Sequence, residues 1–270
     1  MLDLNTNVAA LTAESYLNRT QNNVQGSFQK LSSGMRINSA ADDAAGLGIA
    51  KSMNAQVQSY TVAQQNAADA INMVQTADGA SDQIGALLTR MRVLAVEAQN
   101  GTMSANDKAN LDTEFQQDML EIDRVAGDAN FNGQNLLAGA GSTVSFQVGI
   151  FGTSNDQITV NFGGVDSSGL GLTGTSVTSA GLLNTLDVAL QNLSTTRSHF
   201  GATINRLQIA QTATQDTQTN LSAALATIQD VNVAAETANL AREQVLAQAG
   251  VSVLSQANQS PQLALKLLGG

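Results

Sequence analysis

The chain has 270 residues, one histidine (His199), no cysteine, no tryptophan and a formal net charge of −10. That length suits one large domain or two small ones, and the composition excludes a disulfide framework, a cysteine nucleophile and a multi-cysteine or multi-histidine metal centre. So acidic a chain repels nucleic-acid phosphates, and an aromatic content of 3% leaves no base-stacking platform or aromatic-lined cofactor pocket.

Residues 3–33 carry a loose apolar stripe of Leu4, Val8, Leu11, Leu17, Val24, Phe28 and Leu31, ending at Gly34, a candidate helix C-cap. Ser39 is the candidate N-cap of the next helix, with Asp42 in capping-box position and Asp43 favoured by the helix dipole. That helix carries Ile49, Met53, Val57, Tyr60, Gln64, Ala67, Ile71 and Val74, and the stripe continues through Ile84, Leu87, Met91, Leu94 and Ala98. Asn100–Gly101 marks a turn, and a third helix over 105–127 points Leu111, Phe115, Met119, Ile122 and Ala126 inward.

Eleven of the 23 glycines fall in residues 133–181, so this stretch reads as an insert between helical arms. Within it Val144, Phe146, Val148 and Ile150, then Ile158, Val160 and Phe162, alternate with small or polar residues, which predicts a short β-hairpin. The C-terminal arm then repeats at 3,4 spacing from Leu183 through Leu186, Leu190, Leu193, Arg197, Phe200, Ile204 and Leu207 to Ile228. Such a heptad seam demands partner helices, and its polar layer of Gln211, Thr214 and Gln218 is expected to fix register.

Residues 229–268 are amphipathic but diluted by Asn, Gln and Ser, with Val245, Leu246, Val253 and Leu254 among few good apolar groups. Burying one Leu or Val contributes roughly 1.5–3 kcal/mol, while ordering each residue costs roughly 1–2 kcal/mol in backbone entropy. Neither end is therefore expected to hold a helix unaided. The two should pair with each other or with other copies, as in a protein built to associate.

Catalytic patterns are lacking. Gly169, Gly171 and Gly174 match GxGxxG, but no strand leads in and no helix leads out, so the run reads as loop. His199 has no ligand partner at metal spacing. No apolar run reaches the roughly 18 residues that a membrane span needs, and the N-terminal stretch lacks the basic and apolar regions of a cleaved secretory signal.

The segment LSSGMRINSAADDAAGLGIAK at Leu31–Lys51 resembles the N-terminal signature of bacterial flagellins, as do NTN at Asn5–Asn7, LLTRMRVLAVEAQNGTMS, EIDRVAGDANFNGQNLL and SPQLALKLL. The resemblance covers about 1–138 and 178–268, and with only the short insert between them it is that of a short flagellin lacking large outer domains. It implies a mainly α fold, a long antiparallel helical bundle or coiled coil with a small β-hairpin insert and paired terminal helices. Residues 1–42 and 228–270 would be the inner filament-core domain, and 43–227 the outer rod, with its hairpin and loop insert at about 133–178.

The implied function is that of a structural, non-enzymatic subunit of the flagellar filament. It would be exported unfolded by the flagellar type III system, extracellular, without cofactor, nucleic-acid or membrane partner. Its partners would be identical copies, an export chaperone and cap proteins. Polymer contacts would fall on Leu4, Val8, Leu11, Phe28, Leu31, Val245, Leu246, Val253 and Leu254. Toll-like receptor 5 is a further implied partner, carried onto Arg90, Leu94 and Glu114, although Val93, Glu97 and Asp118 depart from the strongest stimulators. The alternative is a hook–filament junction protein.

Overall fold

The protein, seen here as a computed structural model, is described for residues 6–268. Its helices are α1 (Val8–Ser33), α2 (Ala44–Ala98), α3 (Ala105–Asp128), α4 (Leu182–Gln229) and α5 (Val233–Leu268). Two antiparallel hairpins stand between α3 and α4: β1 (Asn130–Phe131) with β2 (Gln134–Asn135), and β3 (Thr143–Gln147) with β4 (Gln157–Asn161). The chain separates into two compact units, Gln56–Thr219 and the combination of Met1–Ala55 with Asn220–Gly270.

The unit Gln56–Thr219 has a long apolar core. The heptad seam of α4 faces inward as the spacing predicts: Leu186, Leu193, Phe200, Leu207 and Thr214 are buried, and the intervening seam residues half-buried. The neighbours that the seam requires are α2, with Ile84, Leu88, Met91 and Leu94 fully buried, and α3, with Phe115 and Ile122. Side-chain pairs fix α2 and α4 as antiparallel. Gln64 Nε2 donates to Gln218 Oε1 at 2.9 Å, Arg197 bridges Asp78 and Asp82 at 2.9 and 2.7 Å, and Arg92 pairs with Asp187 at 2.6 Å. Gln218 and Thr214 thus occupy the polar layer, Thr214 giving its hydroxyl proton to Ala210 O at 2.7 Å. Contact with Asp78 and Asp82 raises the Arg197 pKa further above its ordinary value.

The β3–β4 hairpin lies on this core through Val148, Ile158, Val160 and Phe162, with the Phe162 and Phe200 rings 5.8 Å apart at 48°. Residues 163–181 then form a strap along α3. Ser167 bonds Asp123 (2.8 and 2.9 Å), Gln116 donates to Thr175 O at 2.9 Å, and Val177 N donates to Asp112 at 2.7 Å. The glycine run 169–174 belongs to this strap, and its Leu170 and Leu172 are buried core residues.

Three local expectations change. Asp43, rather than Ser39, caps α2: its Oδ1 accepts from Gly46 N at 2.8 Å, while Asp42 accepts from Ser39 N at 2.8 Å and closes a turn ahead of the helix. Gly46 allows this arrangement, because a Cβ there would lie 2.8 Å from Cδ1 of the buried Ile37 and closer still to Asp43. Ile49, placed on the inward stripe by spacing, is exposed. The β1–β2 hairpin escaped the sequence reading. Its signal is the Asn132–Gly133 pair, both residues at positive φ as a two-residue hairpin turn requires.

α3 starts with a complete capping box, in which Ser104 Oγ accepts from Asp107 N at 3.3 Å and the Asp107 carboxylate accepts from Ser104 N at 3.0 Å. These bonds hold the Asp107 carboxyl below its ordinary value of 3.8. Ser104→Ala is expected to cost about 1 kcal/mol in urea denaturation. The box contributes above the ordinary Asp pKa, and its contribution is lost as pH falls through the depressed folded value. The deficit of the variant should therefore shrink in acid.

Candidate self-assembly surface

In the unit formed by both ends of the chain, α1 and α5 run antiparallel. Asn7 fixes one end twice: its Oδ1 accepts from Ala10 N at 3.0 Å, capping α1, and its Nδ2 donates to Ala257 O at 2.8 Å. At the other end Gly34, in the left-handed conformation, caps α1. The following residues pair with the α4–α5 link through a Met35–Asp230 bridge, with Arg36 N donating to Gln229 O at 2.7 Å and Val231 N to Gly34 O at 2.9 Å.

The seam between the two helices mixes small residues with a few leucines. Ala10, Ala13, Leu17, Thr20, Val24, Ser27 and Leu31 of α1 are buried or half-buried at 3,4 spacing, and so are Leu240, Glu243, Ala247, Gly250, Leu254 and Ala257 of α5. Leu17 Cδ1 would stand 3.3 Å from a Cβ on Gly250, so the helices close up at that glycine. Small side chains bury little apolar area, and Ser27 is the only described residue of α1 that is fully buried. Several other large apolar groups face out. Val8, Leu11 and Val245 are 62%, 65% and 65% exposed, and Phe28, Leu246 and Val253 are exposed as well.

The structure therefore divides the nine residues assigned by resemblance to polymer contacts. Leu31 and Leu254 lie in the α1–α5 seam, the six just named are exposed, and Leu4 lies outside the described residues. Tyr16 and Val251, absent from the sequence reading because they fall off its stripes, are also exposed apolar surface. Such exposed apolar side chains on two paired helices are the kind of surface that association with another molecule covers. Charge follows the same division. Gln56–Thr219 holds 15 acidic and 6 basic residues, whereas the terminal unit holds 7 and 6 and is almost neutral. Copies can bring such a surface together with little net repulsion.

Two family models describe this arrangement. The bacterial flagellin N-terminal helical region matches residues 4–142, and the bacterial flagellin C-terminal helical region matches residues 183–268. The chain belongs to the bacterial flagellin family. A flagellin of Halalkalibacterium halodurans is 38% identical over 98% of this chain and 99% of its own length. The flagellar filament 30.7 kDa core protein of Treponema maltophilum is 33% identical over the same shares. The crystal structure of Bacillus cereus flagellin superposes with a TM-score of 0.50 at 32% identity, covering 60% of this chain and 94% of that one. With relatives matched end to end and a length near 270 residues, this is a short flagellin, an extracellular structural subunit of the flagellar filament and not an enzyme. The hook–filament junction reading is not favoured. No described helix is long and apolar enough to cross a membrane.

The three residues carried over for receptor contact separate by burial. Arg90 Nε donates to Glu114 Oε1 at 2.9 Å, joining α2 to α3 at an open surface where both side chains are about half exposed. That bond raises the Arg90 pKa further above its ordinary value. Leu94 is buried beneath them, in the core. Next to the pair, burial lifts the Asp118 carboxyl above its ordinary range, and Glu114 adds to the effect. Asp118 Oδ2 is enclosed without a hydrogen-bond partner among the described residues.

Proposed function

We propose that the paired α1 and α5 helices are the polymerising element of this flagellin. Residues 1–42 and 228–270 form the inner domain of the filament, and 43–227 its outer rod. The observation that carries this reading is the exposure of six large apolar residues on α1 and α5, Val8, Leu11, Phe28, Val245, Leu246 and Val253, beside a seam that mixes small residues with a few leucines. Each subunit makes head-to-tail contacts that propagate an open helix instead of closing a ring. Near-neutrality of the terminal unit favours its close packing, while the charge on Gln56–Thr219 suits a solvated surface. A chain with such weakly sealed ends travels through the flagellar type III channel unfolded, its ends held by an export chaperone, and is set in place under a cap protein. Adding a filament seed to purified protein and imaging by electron microscopy tests the reading. Long filaments are expected, and protein that stays monomeric beside active seeds contradicts it.

Toll-like receptor 5 recognition, as a second role, is favoured by the exposed Arg90–Glu114 pair, with Leu94 supporting it from beneath. Arg90→Ala is expected to weaken receptor binding in surface plasmon resonance without changing seeded assembly. Unchanged binding argues against that surface.

A further inference from the structure

Two Asn-Gly pairs occur in the chain, Asn100–Gly101 and Asn132–Gly133. Asparagine followed by glycine carries a reaction of its own, because no Cβ on the glycine hinders its nitrogen from reaching the asparagine side chain. The fold treats the two pairs differently. Asn132 stands at φ 50° inside the β1–β2 turn, with Asn130–Asn135 and Phe131–Gln134 paired behind it. Closing a five-membered ring between its side chain and Gly133 N needs a ψ nearly opposite to that of a left-handed residue, so the hairpin must open first.

Asn100 lies in the exposed link between α2 and α3, just past Ala98. Its N–H donates to Glu97 O at 3.0 Å, and Met103 N donates to its carbonyl at 3.2 Å, closing a turn in which Gly101 is the second residue. A turn leaves the N–H at that place free, and Gly101 N has no hydrogen-bond partner among the described residues. Asn100 Oδ1 accepts from Thr102 N at 3.2 Å, which folds the side-chain amide back over Gly101. The same bond polarises the amide carbonyl and stabilises the oxyanion that forms on attack. A Cβ on Gly101 would meet nothing within 4 Å, so neighbouring groups leave the approach open.

We propose that Asn100 deamidates itself through a cyclic imide with Gly101, so that each folded subunit gains one negative charge with time. Gly101 N gives up its proton and bonds to Asn100 Cγ, the Cγ–Nδ2 bond breaks, and Nδ2 leaves as ammonia with that proton. Water then opens the imide. Attack at Cγ gives aspartate, and attack at the Asn100 main-chain carbonyl carbon gives isoaspartate, whose backbone is longer by the side-chain methylene. The core is spared, because Ala98 is the last buried residue of α2 and Phe115 the first of α3. A unit with 15 acidic and 6 basic residues thus acquires a further acidic group on its surface, and since ammonia is lost the mark is one-way.

Peptide mapping by mass spectrometry of the purified full-length chain, held in warm, mildly alkaline buffer, tests the proposal. Conversion at Asn100 should run roughly tenfold or more ahead of Asn132, whose hairpin must first open, and should yield both the aspartate and the isoaspartate isomer. Gly101→Ala should slow it by roughly tenfold with unchanged melting. In urea, where neither turn is held, the two asparagines should react at similar rates, which separates an effect of the fold from one of the dipeptide. Equal rates in the native protein, an Asn100 that stays intact, or the same ratio in urea as in buffer overturns the proposal.

Discussion

Phe200→Ala is expected to destabilise the Gln56–Thr219 unit by about 3–5 kcal/mol, the usual cost of deleting a fully buried ring, lowering its melting temperature by roughly 6–20 °C. Phe200 is completely buried, occupies a core position of the α4 seam and meets Phe162 just past the end of β4. It therefore joins two elements far apart in sequence, and little nearby can fill the void. The next tie between α4 and the hairpin, the 3.4 Å approach of Thr214 Oγ1 to Val148 O, cannot replace the lost area. Calorimetry of the monomer measures the effect. A change below about 1 kcal/mol would mean that the rings are not part of one core.

Removal of residues 233–270 is expected to abolish filament growth while leaving the melting of Gln56–Thr219 unchanged. α5 supplies Val245, Leu246 and Val253 to the exposed apolar surface, and it also covers one face of α1 through Leu240, Ala247 and Leu254. Without it α1 loses both its seam and half of the association surface, and its own small residues cannot repay the ordering of 26 residues. The main core, built from α2, α3, α4 and the hairpin, contains no α5 residue. Electron microscopy of seeded samples and thermal scans separate the two effects, and filaments from the truncated chain would show that α5 is dispensable.

Where the physics was periodic, the sequence was easy to interpret. The α4 seam from Leu186 to Thr214 follows from spacing alone because large apolar residues recur every three or four positions around one continuous core. The ends were harder. On α1 large apolar residues point both ways, so the stripe drawn through the inward Leu17, Val24 and Leu31 merged with Val8, Leu11 and Phe28, which face out. Only the alternation of Ala, Thr and Ser with these residues shows the true seam, and it becomes visible once Gly250 places α5 against Leu17. Ser39–Asp42 and Ser104–Asp107 share one local pattern, yet only the second begins a helix, because Asp43 competes for the α2 cap and Ile37 packs against Gly46. Burial of Leu94 follows from its place on the α2 stripe, whereas the pairing of Arg90 with Glu114 depends on α3 lying beside α2, which no local pattern encodes.

Amide hydrogen exchange on dilute monomer and on assembled filament tests the central claim, that α1 and α5 are sealed by other copies rather than by each other. Exchange within α1 and α5 should be fast in the monomer, where Gln56–Thr219 is already protected, and should slow by orders of magnitude in the filament. Core-level protection of both helices in the isolated monomer would contradict it.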